Sequence, residues 1–194
     1  MPCIKDIEKD FLFDCDNLPS AGIEKNVLLV NRQDIDLTAS SVTGGVVDVV
    51  LKAGTTGFLI EGIKQINSYN YEVTVNTDSL NRVTHTFIGR IYSLTPENKK
   101  QINAFINGAN VVAIVENLAK GVDQKDAFEV LGWENGLEIA EGVKNSLEND
   151  GAFVLTLASN EQTLESKAPL TFLDVDYPTT KTKFDNKLVE PATS

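Results

Sequence analysis

Tyr71-Glu72-Val73-Thr74-Val75-Asn76, then Asp78-Ser79-Leu80-Asn81, then Arg82-Val83-Thr84-His85-Thr86-Phe87 is the stretch whose reading decides the fold. Apolar and polar residues alternate in the first six positions, the period of a strand with one covered face. Asp, Ser and Asn then supply turn chemistry. The alternation resumes on the far side, so the stretch predicts a long β-hairpin. Tyr71, Val73 and Val75 share one face; Glu72, Thr74 and Asn76 share the other, which suits a sheet wet on one side. The second strand runs to Leu94 and turns apolar on both faces beyond Phe87 (Ile88, Ile91, Tyr92). The base of the hairpin is therefore expected to be buried. Its tip is expected to project, where a neighbouring subunit could pair with it.

The hairpin feeds a helix. Thr95 can accept an orphan amide as N-cap, Pro96 fits the first turn, and Glu97 complements the positive helix end. Ile102, Phe105 and Ile106 form an apolar stripe, and Gly108 is a natural stop. The helix is expected to cover one side or end of a β-structure.

Strand signals extend in both directions. Upstream are Val27-Leu28-Leu29-Val30 and Val46-Val47-Asp48-Val49-Val50-Leu51; Phe58 to Ile63 is read as the partner of the latter across Gly54-Thr55-Thr56-Gly57. The stretch from Asn31 to Gly45 is polar and turn-rich. Downstream, strands are expected at 110–115, 127–132, 137–143, 152–157 and 170–175, with a polar loop or short helix at 159–168. The domain reading is an N-terminal arm over 1–24, a β-domain over 25–176 and a C-terminal arm over 177–194. The fold class is mainly β, a β-sandwich or barrel with a long hairpin and one packed α-helix.

The chain has 194 residues, enough for one domain with a full core. Its formal net charge is −11, which argues against a dedicated nucleic-acid binder. The two cysteines, Cys3 and Cys15, make no disulfide framework and are expected as free thiols. No apolar run approaches the roughly 20 residues of a membrane-spanning helix. The start lacks a signal-peptide core, so synthesis and assembly are expected in the cytoplasm.

Candidate chemistry is sparse. The single histidine, His85, lies on a strand, and no glycine-rich phosphate loop or nucleophile elbow is present. Asp174 with Asp176, and Asp34 with Asp36, are read as solvated carboxylates and not as metal ligands. Trp133, between Gly132 and Glu134-Asn135-Gly136, could stack on a ligand but suits turn packing or a subunit contact. No catalytic, cofactor-binding or metal residue is assigned, no cofactor is expected, and the chain is not expected to be an enzyme.

In the order of its elements, the chain resembles the tail tube proteins of bacteriophages and of contractile injection systems. The likeness is carried by the Tyr71–Tyr92 hairpin, the Pro96–Ile106 helix and the strands between Phe128 and Val175. It implies a virion structural subunit that forms a homohexameric ring. Sheets of neighbouring subunits would join into a lumen wall, and rings would stack through arms and loops into a tail tube. DNA would pass through without specific binding during genome ejection, and the acidic balance is compatible with that. Partners would be further copies and other tail proteins, with no membrane; the location would be the virion tail. Candidates for the ring interface or lumen are Tyr71, Glu72, Val73, Thr74, Val75, Asn76, Thr84, His85, Thr86, Trp133 and Phe184. The alternatives are another virion part, such as a head–tail connector, stopper or capsid accessory protein, or a ligand-binding β-module using Trp133.

Overall fold

The computed structural model describes residues 7, 9–15, 18 and 20–189. In chain order the strands and helices are β1 (Ile23–Asn31), β2 (Ser41–Thr43), β3 (Val46–Asp48), β4 (Phe58–Glu61), β5 (Ser68–Thr74), β6 (Arg82–Ile91), α1 (Pro96–Ile106), β7 (Val111–Asn117), β8 (Phe128–Leu131), β9 (Glu138–Lys144), β10 (Phe153–Ala158), β11 (Leu170–Phe172) and α2 (Tyr177–Asp185). The strands form a seven-stranded sheet, β2-β3-β11-β8-β7-β1-β4, and a four-stranded sheet, β5-β6-β10-β9. The protein is thus mainly β, with two open sheets and helical segments.

The large sheet is apolar on both faces, and its central strands show why. In β1, Leu28 and Val30 face one core cluster, while Val27 and Leu29 face a second. In β7, Val112 and Ile114 join the first, and Val111, Ala113 and Val115 the second. Unbroken β-branched and leucine runs are what a sheet covered on both faces requires. The small sheet covers the second face through Phe87, Leu155 and Leu157.

The first face is covered in part by α2. Asp176 caps this helix, its Oδ1 accepting the Thr179 amide at 2.9 Å, and a proline stands in the first turn. Phe184 and Leu188 then enter the core, where the Phe184 ring lies 5.1 Å from that of Phe128. A buried polar knot fastens the helix: the Glu116 carboxylate accepts the Tyr177 hydroxyl at 2.7 Å and pairs with Lys181 at 3.2 Å and with Lys120. Burial pushes the Glu116 carboxyl upward, but Lys120, Tyr177 and Lys181 outweigh it and hold the group below its ordinary value. Lys183 adds ion pairs to Asp48 at 3.0 Å and Asp174 at 2.9 Å.

Three expectations are corrected here. The segment from Tyr177 is not an extended arm as far as Val189: it is a helix whose apolar residues are buried in its own domain, so the chain has a second α-helix. Residues 46–51 and 58–63 are not partners. β3 pairs with β2 and, in parallel, with β11, whereas β4 pairs with β1 at the opposite edge. The chain from 49 to 57 therefore crosses the sheet face, with the Gly57 amide bonded to the Lys187 carbonyl at 2.9 Å. A side chain at Gly57 would meet the Leu28 side chain at 2.6 Å, so this crossing passes directly over the core.

The hairpin and the first helix are found as expected. β5 and β6 pair antiparallel from Ser68↔Ile88 to Thr74↔Arg82. Thr95 Oγ1 accepts the Asn98 amide at 3.3 Å, and Gly108 takes positive φ beyond the Asn107 cap. Ile102 is the one buried residue of α1, and Ile106 is exposed, so the helix is peripheral.

Candidate functional site

Residues directly opposite in a ladder share a face, so register assigns the two faces of the small sheet. Tyr69, Tyr71 and Val73 lie opposite Phe87, His85 and Val83 on the inner face. Only its base is sealed. Tyr69 packs in the core and donates its hydroxyl to Asn117 Oδ1 at 3.0 Å, while Tyr71 is 48% exposed, Val73 60% and Val75 75%. The apolar stripe legible in the sequence thus runs past the edge of the core into solvent.

The outer face carries Ser68, Asn70, Glu72 and Thr74 on β5, and Arg82, Thr84, Thr86, Ile88 and Arg90 on β6. Thr156 and Ala158 of β10 and Glu138 and Glu141 of β9 continue it. It is a hydroxyl-rich surface of mixed charge. Of the sequence candidates, Glu72, Thr74, Thr84 and Thr86 come together on it. Asn76 lies in the turn, where its amide bonds to Asn81 Oδ1 at 3.1 Å.

Among the described residues, both flanking strands of this sheet, β5 and β9, have an unpaired edge. Each is seven residues long. All pairings in the sheet are antiparallel, so β5 and β9 run in opposite directions. In the N-terminal region Phe11, Leu12 and Phe13 are 81–93% exposed. Apolar groups this contiguous and this open mark interaction surfaces in folded proteins.

His85 and Phe184, candidates for a lumen or interface, are instead in the interior. His85 is 1% exposed. Its Nδ1 accepts the Gly132 amide at 3.1 Å, which leaves the proton on Nε2 to be donated to the Lys167 carbonyl at 2.9 Å. Burial lowers its pKa below the ordinary 6.5. The ring is a neutral pin joining the small sheet to the end of β8. Phe184 stands in a polar stretch of sequence; what marks its burial is the Asp176-Tyr177-Pro178 helix start, the same cap logic as Thr95-Pro96.

Trp133 occupies a tight turn closed by the Gly136 amide on the Gly132 carbonyl at 2.8 Å. Both glycines have positive φ, and a side chain at Gly132 would strike Leu137. Beside the turn is a cleft of about 420 Å³ with Arg32, Trp133 and Lys167 among its walls. Glu165, which sequence reading passed over in a polar loop, is 1% exposed beneath it. Its carboxylate accepts the Glu134 amide at 2.8 Å and the Asn135 amide at 2.9 Å, and its backbone bridges to Val83. Burial pushes its pKa up, against the pull of those two amides.

Asp174 and Asp176 are an ion-pair partner and a helix cap, as described above. Asp36 closes a turn by accepting the Thr38 amide at 2.9 Å. Cys15 is a free thiol, while Cys3 lies outside the described residues. Among the described residues no group of three or more His, Cys, Asp or Glu could hold a metal ion, and no helix is long and apolar enough to cross a membrane.

Comparison with protein-family models, with characterised proteins and with solved structures returned no match.

Proposed function

We propose that this chain is a structural subunit that assembles into rings, and the rings into a tube, as in a bacteriophage tail. The observation that carries the reading is the pair of free edges on the small sheet. β5 and β9 match in length and run in opposite directions, so β9 of one copy set against β5 of the next continues the sheet with every pair antiparallel. Such a contact joins two different surfaces, and it closes into a ring where its rotation divides a full turn. The hydroxyl-rich outer face then forms a continuous wall on which Glu72, Glu138 and Glu141 outnumber Arg82 and Arg90, so DNA slides through without a net cationic track to hold it.

The exposed apolar groups give the contact its strength. Tyr71, Val73 and Val75, with Phe11, Leu12 and Phe13, contribute on the order of 9 kcal/mol if each gains about 1.5 kcal/mol on burial. Association costs roughly 4–15 kcal/mol. One such contact therefore barely holds a pair together. A closed ring, in which each subunit makes two contacts, is favoured over an open oligomer. A ring of six and a place in the virion tail, after synthesis in host cytoplasm, complete the reading.

Electron microscopy of the concentrated protein tests it. The expected images are rings with a central hole, and stacks of them. A protein that stays monomeric across salt and concentration overturns it.

A further inference from the structure

The cleft beside Trp133 has a distinct chemistry once its hydrogen bonds are accounted for. Both oxygens of Glu165 are taken by the 134 and 135 amides. Both oxygens of Glu134 are taken by Ser166, its amide and its hydroxyl each at 2.6 Å. Both nitrogens of His85 are also engaged. These groups hold the two loops that frame the cleft, each carboxylate oxygen already accepting one hydrogen bond from within.

The cations are different. Arg32 donates Nη2 to the Glu134 carbonyl at 3.0 Å, but its Nε is buried with no partner among the described residues. A buried donor left unpaired costs about 1–3 kcal/mol, so the guanidinium is held at this wall short of one acceptor. Lys167, exposed at the rim, adds a second positive charge. Much of the remaining lining is apolar: Trp133 packs on the core, while Leu37 and Val42 are partly open to solvent. A volume of about 420 Å³ falls at the small end of ligand pockets.

We infer that this cleft binds a small organic carboxylate with a ring-sized apolar body, its acid group on Arg32 and Lys167 and its ring against Trp133. The guanidinium fork suits a planar carboxylate, and the indole face suits a flat apolar group. Binding within one subunit is separate from ring assembly, so either reading can fail without the other.

Trp133 is the sole tryptophan, so indole fluorescence reports this site alone. The full chain is titrated with phenylacetate, with its neutral analogue 2-phenylethanol, and with acetate. Phenylacetate is expected to change the fluorescence saturably, and both other probes to bind at least about tenfold more weakly, as loss of a charged hydrogen bond or of the apolar body requires. Lys167→Gln, at an exposed position, is expected to weaken phenylacetate several-fold, and Arg32→Gln further. No saturable response, equal affinity for 2-phenylethanol, or equal affinity for acetate overturns the inference. So does Lys167→Gln binding phenylacetate as tightly as the natural chain, which keeps the test decisive even if Arg32→Gln fails to fold.

Discussion

The two sheets place apolar side chains in opposite ways. In the seven-stranded sheet both faces of the central strands are sealed, one by the small sheet and one in part by α2, and Val27 to Val30 and Val111 to Val115 are buried throughout. In the four-stranded sheet one face is sealed near Phe87 and Leu157, and the seal ends at Tyr71. Apolar residues at consecutive positions have spent their hydrophobic free energy inside the chain. Those alternating on β5 have not, and that free energy is available for association.

The sealed side is where substitution should hurt most. Phe184→Ala removes a fully buried ring tilted against Phe128 and is expected to cost about 3–5 kcal/mol, the usual range for deleting a core phenylalanine. Urea unfolding followed by circular dichroism measures it. A loss under about 1 kcal/mol would mean that α2 is a detachable arm after all, and the contrast between the sheets would lose one of its covers.

The joint between the sheets is the next most sensitive place. His85→Gln is expected to cost about 1–3 kcal/mol, because one of two buried bonds loses its partner. The pH dependence identifies the pin. Burial holds the folded-state pKa of His85 below 6.5, the value it regains on unfolding. The unfolded chain therefore takes up a proton before the folded one does. The histidine's contribution is complete above pH 6.5 and is lost as pH falls from there through the folded pKa. The stability gap between the natural chain and the glutamine variant should narrow over that interval. Glu165, shifted the other way, is common to both proteins and drops out of the difference to first order. A gap that stays constant from about pH 8 to about pH 5 would show that His85 is not held neutral.

The sequence revealed one of these regions better than the other. The hairpin, α1 and the strands of the central runs were legible because their signals are local: alternation, a Thr-Pro cap, β-branched stretches. What was not legible depended on distant partners. Nothing near Val46 says that it pairs with Thr171, or that Phe58 pairs with Leu29 at the other edge. Local order suggested a hairpin there, and the long-range sheet took precedence. α2 did carry a local signal in Asp176-Tyr177-Pro178, but the three threonines after it have weak helix propensity, and the helix is held by Phe184, Leu188 and the Glu116 knot. Glu165 and the cleft had no signal of their own, since a buried carboxylate looks like any other in a polar loop until two backbone amides are seen to reach it.

The exposed edge should behave in the reverse manner, with little effect on stability and a large effect on assembly. Val73 is 60% exposed, so Val73→Lys is expected to change unfolding free energy by no more than about 0.5 kcal/mol. A lysine on an edge strand, however, is a common way to block a further strand from adding. Thr86→Lys makes the comparison fair, because it adds the same charge to the outer face of the interior strand β6, away from either free edge. By size-exclusion chromatography with light scattering, the natural chain is expected to run as the proposed rings, Val73→Lys as a monomer, and Thr86→Lys as rings. If both variants lost the rings equally, charge alone would explain the effect. The assembly contact would then have to be sought away from β5, beginning with Phe11, Leu12 and Phe13.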